Sequence, residues 1–210
     1  MIRVGIIGGA GYTAGELIRL LLHHPEAEIA FVHSTSNAKN LLTDVHEGLL
    51  GETDMKFTSR LSLKSIDVLF LCMGHGKSAE FLAEHPVPQS VRIIDLAQDF
   101  RLASPDHDYI YGLPELNHED IKAARHIANP GCFATAIQLG LLPLAANWLV
   151  HDDISVNAIT GGTDAQGEVT VRLMDGGLAA TGRGSDPDVI ISSAKAYIDA
   201  LNRIAAKEKD

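Results

Sequence analysis

Basic residues are scarce in this chain. Its 17 Lys and Arg stand against 27 Asp and Glu, a formal net charge of −10 with histidine neutral. No Lys/Arg cluster occurs anywhere, which argues against a basic phosphate-binding face and against nucleic acid as a partner. Long apolar runs are missing too. None approaches the roughly 18 residues that a membrane-crossing helix needs, so no membrane partner is expected. The opening MIRVGIIGGAG is too short and too broken by glycine for a secretory signal, and a cytoplasmic protein is expected. Cysteine is reduced to Cys72 and Cys132, with no C-x-x-C spacing and so no zinc signature. No metal site is expected, and a disulfide between the two would be unusual in a reducing compartment.

What remains is enough for a core: 46% of the 210 residues are hydrophobic, suiting one domain or one domain with an appendage. Near-continuous apolar strands are expected at 2–8, 28–34, 67–73, 92–98 and 155–160, a pattern that fits a sheet covered on both faces. Amphipathic or apolar helices are expected between them at Ala14–His23, Ser78–Glu84 and Phe133–Leu149. Strand–helix–strand alternation predicts an α/β fold: a Rossmann-like, doubly wound parallel sheet with right-handed crossovers.

After Gly162 the character changes. Residues 168–173 alternate polar and apolar as a strand with one wet face does, Asp175-Gly-Gly makes a turn, and 178–184 can return as a second strand. Asp186 is a plausible N-cap with Pro187 at the first helical position. The helix that follows carries a stripe of Ile190, Ala194, Tyr197, Leu201 and Ile204, with Lys207 suited to its C-terminal dipole. A small α+β hairpin-plus-helix appendage is expected, too small to be stable without packing on something.

The stretch GIIGGAGYTAGEL joins the first strand to the first helix. It reads as G-x-x-G-x-x-A on Gly8, Gly11 and Ala14, or as G-x-G-x-x-A on Gly9, Gly11 and Ala14. In that strand–loop–helix setting, glycines allow a tight turn and let backbone N–H groups reach a pyrophosphate at a helix N-terminus. The second strand ends His33-Ser34-Thr35-Ser36-Asn37, without the acid that usually holds an NAD ribose. Hydroxyl side chains there suit a 2′-phosphate, which favours NADP(H). Cys132 follows Pro130-Gly131 at the entry to a long apolar helix, where the positive end of the dipole favours a thiolate. Cys72, inside LFLCM, reads as a small buried hydrophobe. A nicotinamide cofactor together with a thiolate points to acyl transfer onto sulfur and reduction of the resulting thioester to an aldehyde.

Residues 1 to about 161 resemble the N-acetyl-γ-glutamyl-phosphate reductase family of arginine biosynthesis, related to aspartate-semialdehyde dehydrogenase. The resemblance rests on GAGYTAGEL, DVHEGLLG (44–51), LFLCMGHGKS (69–78), IIDLAQDFRL (93–102), YGLPEL (111–116) and NPGCFAT (129–135). It implies an NADP-dependent, aldehyde-forming acyl-phosphate reductase acting on N-acetyl-γ-glutamyl phosphate, with Cys132 as nucleophile. The implied NADP cradle is the loop Gly8, Gly9, Gly11, Tyr12, Thr13, Ala14 and Gly15, the strand end Ser34, Thr35 and Ser36, and Gly74, His75 and Ser78 of the 74–78 loop. Asp95, Asp99 and Arg101 border that site, with a structural charge cluster as their plainer reading.

The family's later substrate domain, with its H-x-H segment, has no counterpart here: no H-x-H follows Cys132. Residues 162–204 instead resemble the C-terminal end of 2-isopropylmalate synthase through GEVTVRL, TGRGSDPDVI and SAKAYIDALN. That resemblance implies part of a leucine-sensing, dimerising regulatory domain. The expected organisation is an NADP-binding domain with the catalytic cysteine over 1–161 and a partial regulatory unit over 162–210. The expected function is an impaired reductase; the alternatives are an inert NADP-binding module, or a dimerisation or leucine-responsive fragment acting as a homodimer.

Overall fold

The computed structural model describes residues 1–147, 154–159, 167–175, 178–186 and 189–207. They form two compact units, Met1–Pro130 and Gly131–Asp210.

The first unit is built on a six-stranded parallel sheet of β1 (Ile2–Ile7), β2 (Ala27–His33), β3 (Val68–Leu71), β4 (Arg92–Asp95), β5 (Ile110–Tyr111) and β6 (His126–Ala128). The spatial order is β2-β1-β3-β4-β6-β5. Helices α1 (Tyr12–Leu22), α2 (Ser78–Glu84) and α3 (Pro114–Ala123) lie between strands in the chain. The expected first four strands and first two helices are all present. The apolar runs of β1, β2 and β3 are continuous because each of these strands feeds two cores. Val4 and Ile6 pack with Ala14, Ile18 and Leu21 of α1, while Ile7, Leu69 and Leu71 pack with Phe81 of α2.

Chain order reverses at β1: the chain leaves it for β2 on one side, and β3 lies on the other. A crevice at the carboxyl ends of such strands is the usual ligand position in an open α/β sheet. Two short strands, β5 and β6, and helix α3 were not anticipated. Strands of two and three residues carry no readable period.

The second unit comprises α4 (Cys132–Ala145), the antiparallel strands β7 (Ile154–Ile159), β8 (Gly167–Asp175) and β9 (Leu178–Asp186), and α5 (Val189–Lys207). This corrects the expectation that 155–160 is the fifth parallel strand: β7 pairs with β8, from Ile154 opposite Leu173 to Ile159 opposite Glu168. An apolar strand serves either sheet, and the partner next in sequence is the commoner neighbour. The expected hairpin of β8 and β9 with its helix α5 is present, and β7 adds a third strand to that sheet. The expected turn at Gly176-Gly177, the stretch around Gly161-Gly162 and Pro187 lie outside the described residues.

One face of this sheet is buried through Val169, Val171 and Leu173 on β8 and Ala180, Gly182 and Gly184 on β9. Large side chains on β8 stand opposite small ones on β9, with Val171 paired to Gly182 and Val169 to Gly184. The small ones admit α5. A Cβ on Gly182 would lie 2.0 Å from the Ala196 carbonyl oxygen, and one on Gly184 would lie 2.1 Å from that of Ser192. The helix backbone rests on the strand backbone through Ser192, Ala196 and Ala200, all fully buried, flanked by Tyr197 and Ile204. Asp186 ends β9 and pairs with Lys195 at 2.6 Å. Lys207 donates to the Ala179 carbonyl at 2.5 Å.

Gly184→Ala and Gly182→Ala are expected to lose about 3 kcal/mol, because the added methyl meets backbone that no rotamer change can move. Thr181→Ser, exposed on the same strand, should change little. Amide exchange across β8 and β9 measures this; protection in Gly184→Ala equal to that of the parent would contradict the contact.

Candidate functional site: a dinucleotide crevice

The loop between β1 and α1 is shaped by different demands on each glycine. Gly8 has φ +76°, and a Cβ there would lie 2.5 Å from the Cys72 carbonyl oxygen. It needs glycine for conformation and for approach to β3. A Cβ on Gly9 would stand 2.2 Å from Val32 Cγ1 of β2, and the Gly9 N–H donates to the His33 carbonyl at 2.9 Å. The bare face of Gly15 is filled by the His46 ring, whose Nδ1 would be 2.6 Å from an added Cβ. Gly11 differs. A Cβ there would make only ordinary contacts, at 3.5 Å or more, so packing within the protein does not require glycine. Gly11 precedes α1, and no side chain caps that helix. Its first N–H groups are left for an external acceptor. A bare Cα beside uncapped donors fits the close approach of a pyrophosphate.

Next to this loop lies a crevice of about 300 Å³ lined by Gly8, Ala10, His33, Ser34, Thr35, Ser36 and Met73, among others. The structure thus brings together the glycine loop and the β2 end, as the sequence suggested. Thr35 and Ser36 are exposed. Ser34 is buried and its Oγ accepts the Asn37 N–H at 3.3 Å, shaping the turn. Burial and the nearby His85 hold the His33 imidazole below its ordinary range, so it brings no positive charge to the crevice at neutral pH. Tyr12 (86% exposed) and Thr13 stand at the surface, whereas Ala14 is fully buried in the core against β1.

The 74–78 loop is built differently from expectation. Gly74 and His75 are exposed, but Ser78 is fully buried, and its hydroxyl donates to Asp95 Oδ1 at 2.5 Å. Ser78 therefore faces inward, where it holds the start of α2 to the end of β4. Asp99 accepts the Gly76 N–H at 2.8 Å and the Ala79 N–H at 3.3 Å, supplying the loop's anion from within the protein. His75 Nδ1 accepts the Gln98 N–H at 3.1 Å.

Arg101 donates to the Asn129 carbonyl and to the Leu96 carbonyl, both at 2.9 Å. Phe100 stacks on Tyr109 with ring centroids 4.0 Å apart. The segment 95–101 is thus a bracket from the 74–79 loop to Asn129, and its charges are structural. Only the alternation D-x-x-x-D-x-R hinted at this role, which needs the two loops to be adjacent in space.

Cys132 belongs to the second unit, exposed, as the first residue of α4. The Gly131 carbonyl there accepts the Thr135 N–H at 2.9 Å. Cys72 packs against the first core, and burial together with the negative Asp95 pushes its thiol up to about 12. It is therefore a thiol and not a thiolate at neutral pH.

Asp95 generates a pH dependence. Burial above all, with Asp99 adding to it, holds its carboxyl above the usual carboxylate range, against the hydrogen bonds from Ser78 and Ala97. A raised carboxyl favours the protonated fold. Its stabilising contribution is full below the ordinary carboxylate value and is lost as pH rises through the raised one. Asp95→Asn keeps an acceptor for Ser78 without the charge. Urea titrations should show the parent gaining on Asp95→Asn as pH falls toward 4; a constant difference, or one of the opposite sign, would contradict the assignment.

Comparison with known proteins converges on this architecture. Residues 3–124 match the family described as semialdehyde dehydrogenase, NAD binding domain, and residues 149–205 match the LeuA allosteric (dimerisation) domain. The chain is 63% identical over 165 residues to an N-acetyl-gamma-glutamyl-phosphate reductase of Bacteroides fragilis, covering 79% of this chain and 51% of that protein. It is 64% identical over the same length to the enzyme of that name from Bacteroides thetaiotaomicron, with the same coverage of each. The chain therefore spans about half the length of these curated relatives. Among solved structures, aspartate semialdehyde dehydrogenase with NADP from Candida albicans superposes with a TM-score of 0.57 at 16% identity. That match covers 78% of this chain and 56% of that one, a likeness of fold. On its fold, its glycine loop and the match over residues 3–124, the chain belongs to the family of the semialdehyde dehydrogenase NAD-binding domain.

Proposed function

We propose that the first unit is an NADP(H)-binding module of the N-acetyl-γ-glutamyl-phosphate reductase lineage, and that Cys132 is an acyl-accepting thiol. The observation that carries the reading is Gly11. It is a glycine that protein packing does not demand, set before an uncapped helix and beside a crevice that ends in Thr35 and Ser36. The N–H groups at the start of α1 would hold the pyrophosphate. Thr35 and Ser36 would donate to a 2′-phosphate, and no carboxylate stands among Ser34, Thr35 and Ser36 to repel it. The bound nicotinamide would supply the hydride in the lineage's reaction. The chain's own part is the Cys132 thiolate: it attacks the carbonyl carbon of an acyl phosphate, phosphate leaves with the C–O electron pair, and a thioester remains on Sγ.

Reductive turnover by this chain is weak in this reading. The curated relatives extend well beyond the matched half, and residues 149–205 match a different domain. Loss of a general acid alone lowers rates by about 10²–10⁴-fold, and loss of substrate positioning adds to that. The change of lineage is read near Gly161–Gly162, in keeping with a reductase match over 165 residues that overlaps the dimerisation-domain match over 149–205. The second unit supports pairing of two copies, because Ile191 and Ile198 are exposed seven residues apart on α5.

Fluorescence titration is expected to show tighter binding of NADPH than of NADH; equal or better affinity for NADH would overturn the cofactor assignment. Ser36→Asp should weaken NADPH by about tenfold or more through like-charge repulsion while sparing NADH. With limiting alkylating reagent at neutral pH, mass mapping should find label on exposed Cys132 and little on Cys72. An acyl phosphate should acylate Cys132 with release of phosphate, and the thioester should then hydrolyse slowly to the carboxylic acid and the free thiol. Rapid NADPH oxidation with N-acetyl-γ-glutamyl phosphate, abolished in Cys132→Ala, would refute the weak-turnover reading.

A further inference from the structure

His46 lies in the DVHEGLLG stretch, in the short turns that follow β2, and has no role assigned above. Its backbone is fixed at both sides: its N–H donates to the Leu42 carbonyl and its carbonyl accepts the Leu49 N–H, each at 2.9 Å. Leu42 and Leu49 are themselves buried in the core beneath α1. The ring leans on Phe57, with centroids 6.1 Å apart. From this anchored position Nε2 reaches the Gly9 carbonyl oxygen at 2.7 Å. A carbonyl only accepts, so Nε2 carries the proton and His46 is the donor. The other ring nitrogen packs over the bare Gly15, at the first turn of α1.

This contact has a consequence one peptide further on. In a trans peptide the carbonyl and the following N–H point to opposite sides, and the chain has no cis peptide bond among its described residues. With the Gly9 carbonyl turned to His46, the Ala10 N–H is turned away from it, and Ala10 lines the crevice. Glycine has little intrinsic preference that would keep this plane from rotating. Rotation would present a carbonyl oxygen where a phosphate is to bind. Gly9 is thus held from two sides, by its N–H on the His33 carbonyl and by its carbonyl on His46.

We propose that His46 is a positioning residue for the dinucleotide: its Nε2–H locks the Gly9–Ala10 peptide with the N–H outward, and Gly15 is glycine to seat that ring. The proposal rests on the cofactor reading for its ligand and on the geometry alone for the lock.

Three variants separate the possibilities. His46→Leu removes the donor, His46→Gln offers an amide N–H in its place, and Gly15→Ala dislodges the ring from the opposite side. His46→Leu and Gly15→Ala should weaken NADPH by about five- to tenfold, the range of one lost hydrogen bond, and His46→Gln should recover most of it. Adenosine 2′-monophosphate, which lacks the pyrophosphate, should bind all variants like the parent; general loosening of the fold would weaken it too.

Without any ligand, the Gly9 and Gly11 amides should exchange about five- to tenfold faster in His46→Leu, while the amides of Val4 and Ile6 keep their protection. Unchanged Gly9 and Gly11 exchange would overturn the lock. A His46→Gln variant as weak for NADPH as His46→Leu would overturn the donor's role. A parent chain that binds neither NADPH nor adenosine 2′-monophosphate would sink the cofactor reading, leaving the exchange result to decide the lock.

Discussion

Backbone packed directly on backbone is the constraint on which both units depend. At the end of β1 the chain is wedged between two neighbours, with Gly8 against the Cys72 carbonyl and Gly9 against Val32. No side chain fits there, and the loop that leaves this wedge has one direction to go, into α1. In the second unit Gly182 and Gly184 let α5 settle on β9 at distances that exclude even a methyl group. Dense interiors transmit such restrictions, since a misfit of a few tenths of an ångström has nowhere to relax. In the first unit the close contact shapes a ligand crevice; in the second it builds a helix-on-strand platform.

Around the wedge, polar groups fix what glycine leaves free. Asp99 holds the 74–79 loop by two N–H groups, Asp95 holds Ser78, and Arg101 holds Asn129, three residues before Cys132. His46 does the same for Gly9. These groups satisfy the protein's own donors and acceptors. At the start of α1, beside Gly11, no side chain caps the helix.

Sequence made the first unit legible where the signals were local. The apolar run of β1, the glycines after it and the period of α1 all lie within 22 residues and agree with one another. Contacts between distant segments were not legible. The bond of Ser78 to Asp95 and the seating of His46 on Gly15 join residues 17 and 31 positions apart, and nothing in the chain announces either pair. The strand 154–159 was placed in the wrong sheet because its apolar pattern names no partner. The pairing of Asp186 with Lys195, nine residues on, was likewise not announced by any local pattern. In the second unit, the alternation of Val169, Val171 and Leu173 was readable, whereas the reason for the glycines opposite them appeared only with α5 in place.

A crystal structure of the chain with NADP⁺ would show whether the β1–α1 loop is a dinucleotide site. The expected result places the pyrophosphate over Gly11 at the N-terminus of α1, with the Ala10 N–H directed at it and the 2′-phosphate beside Thr35 and Ser36. Dinucleotide bound elsewhere, or a pyrophosphate facing the Gly9 carbonyl, would contradict it.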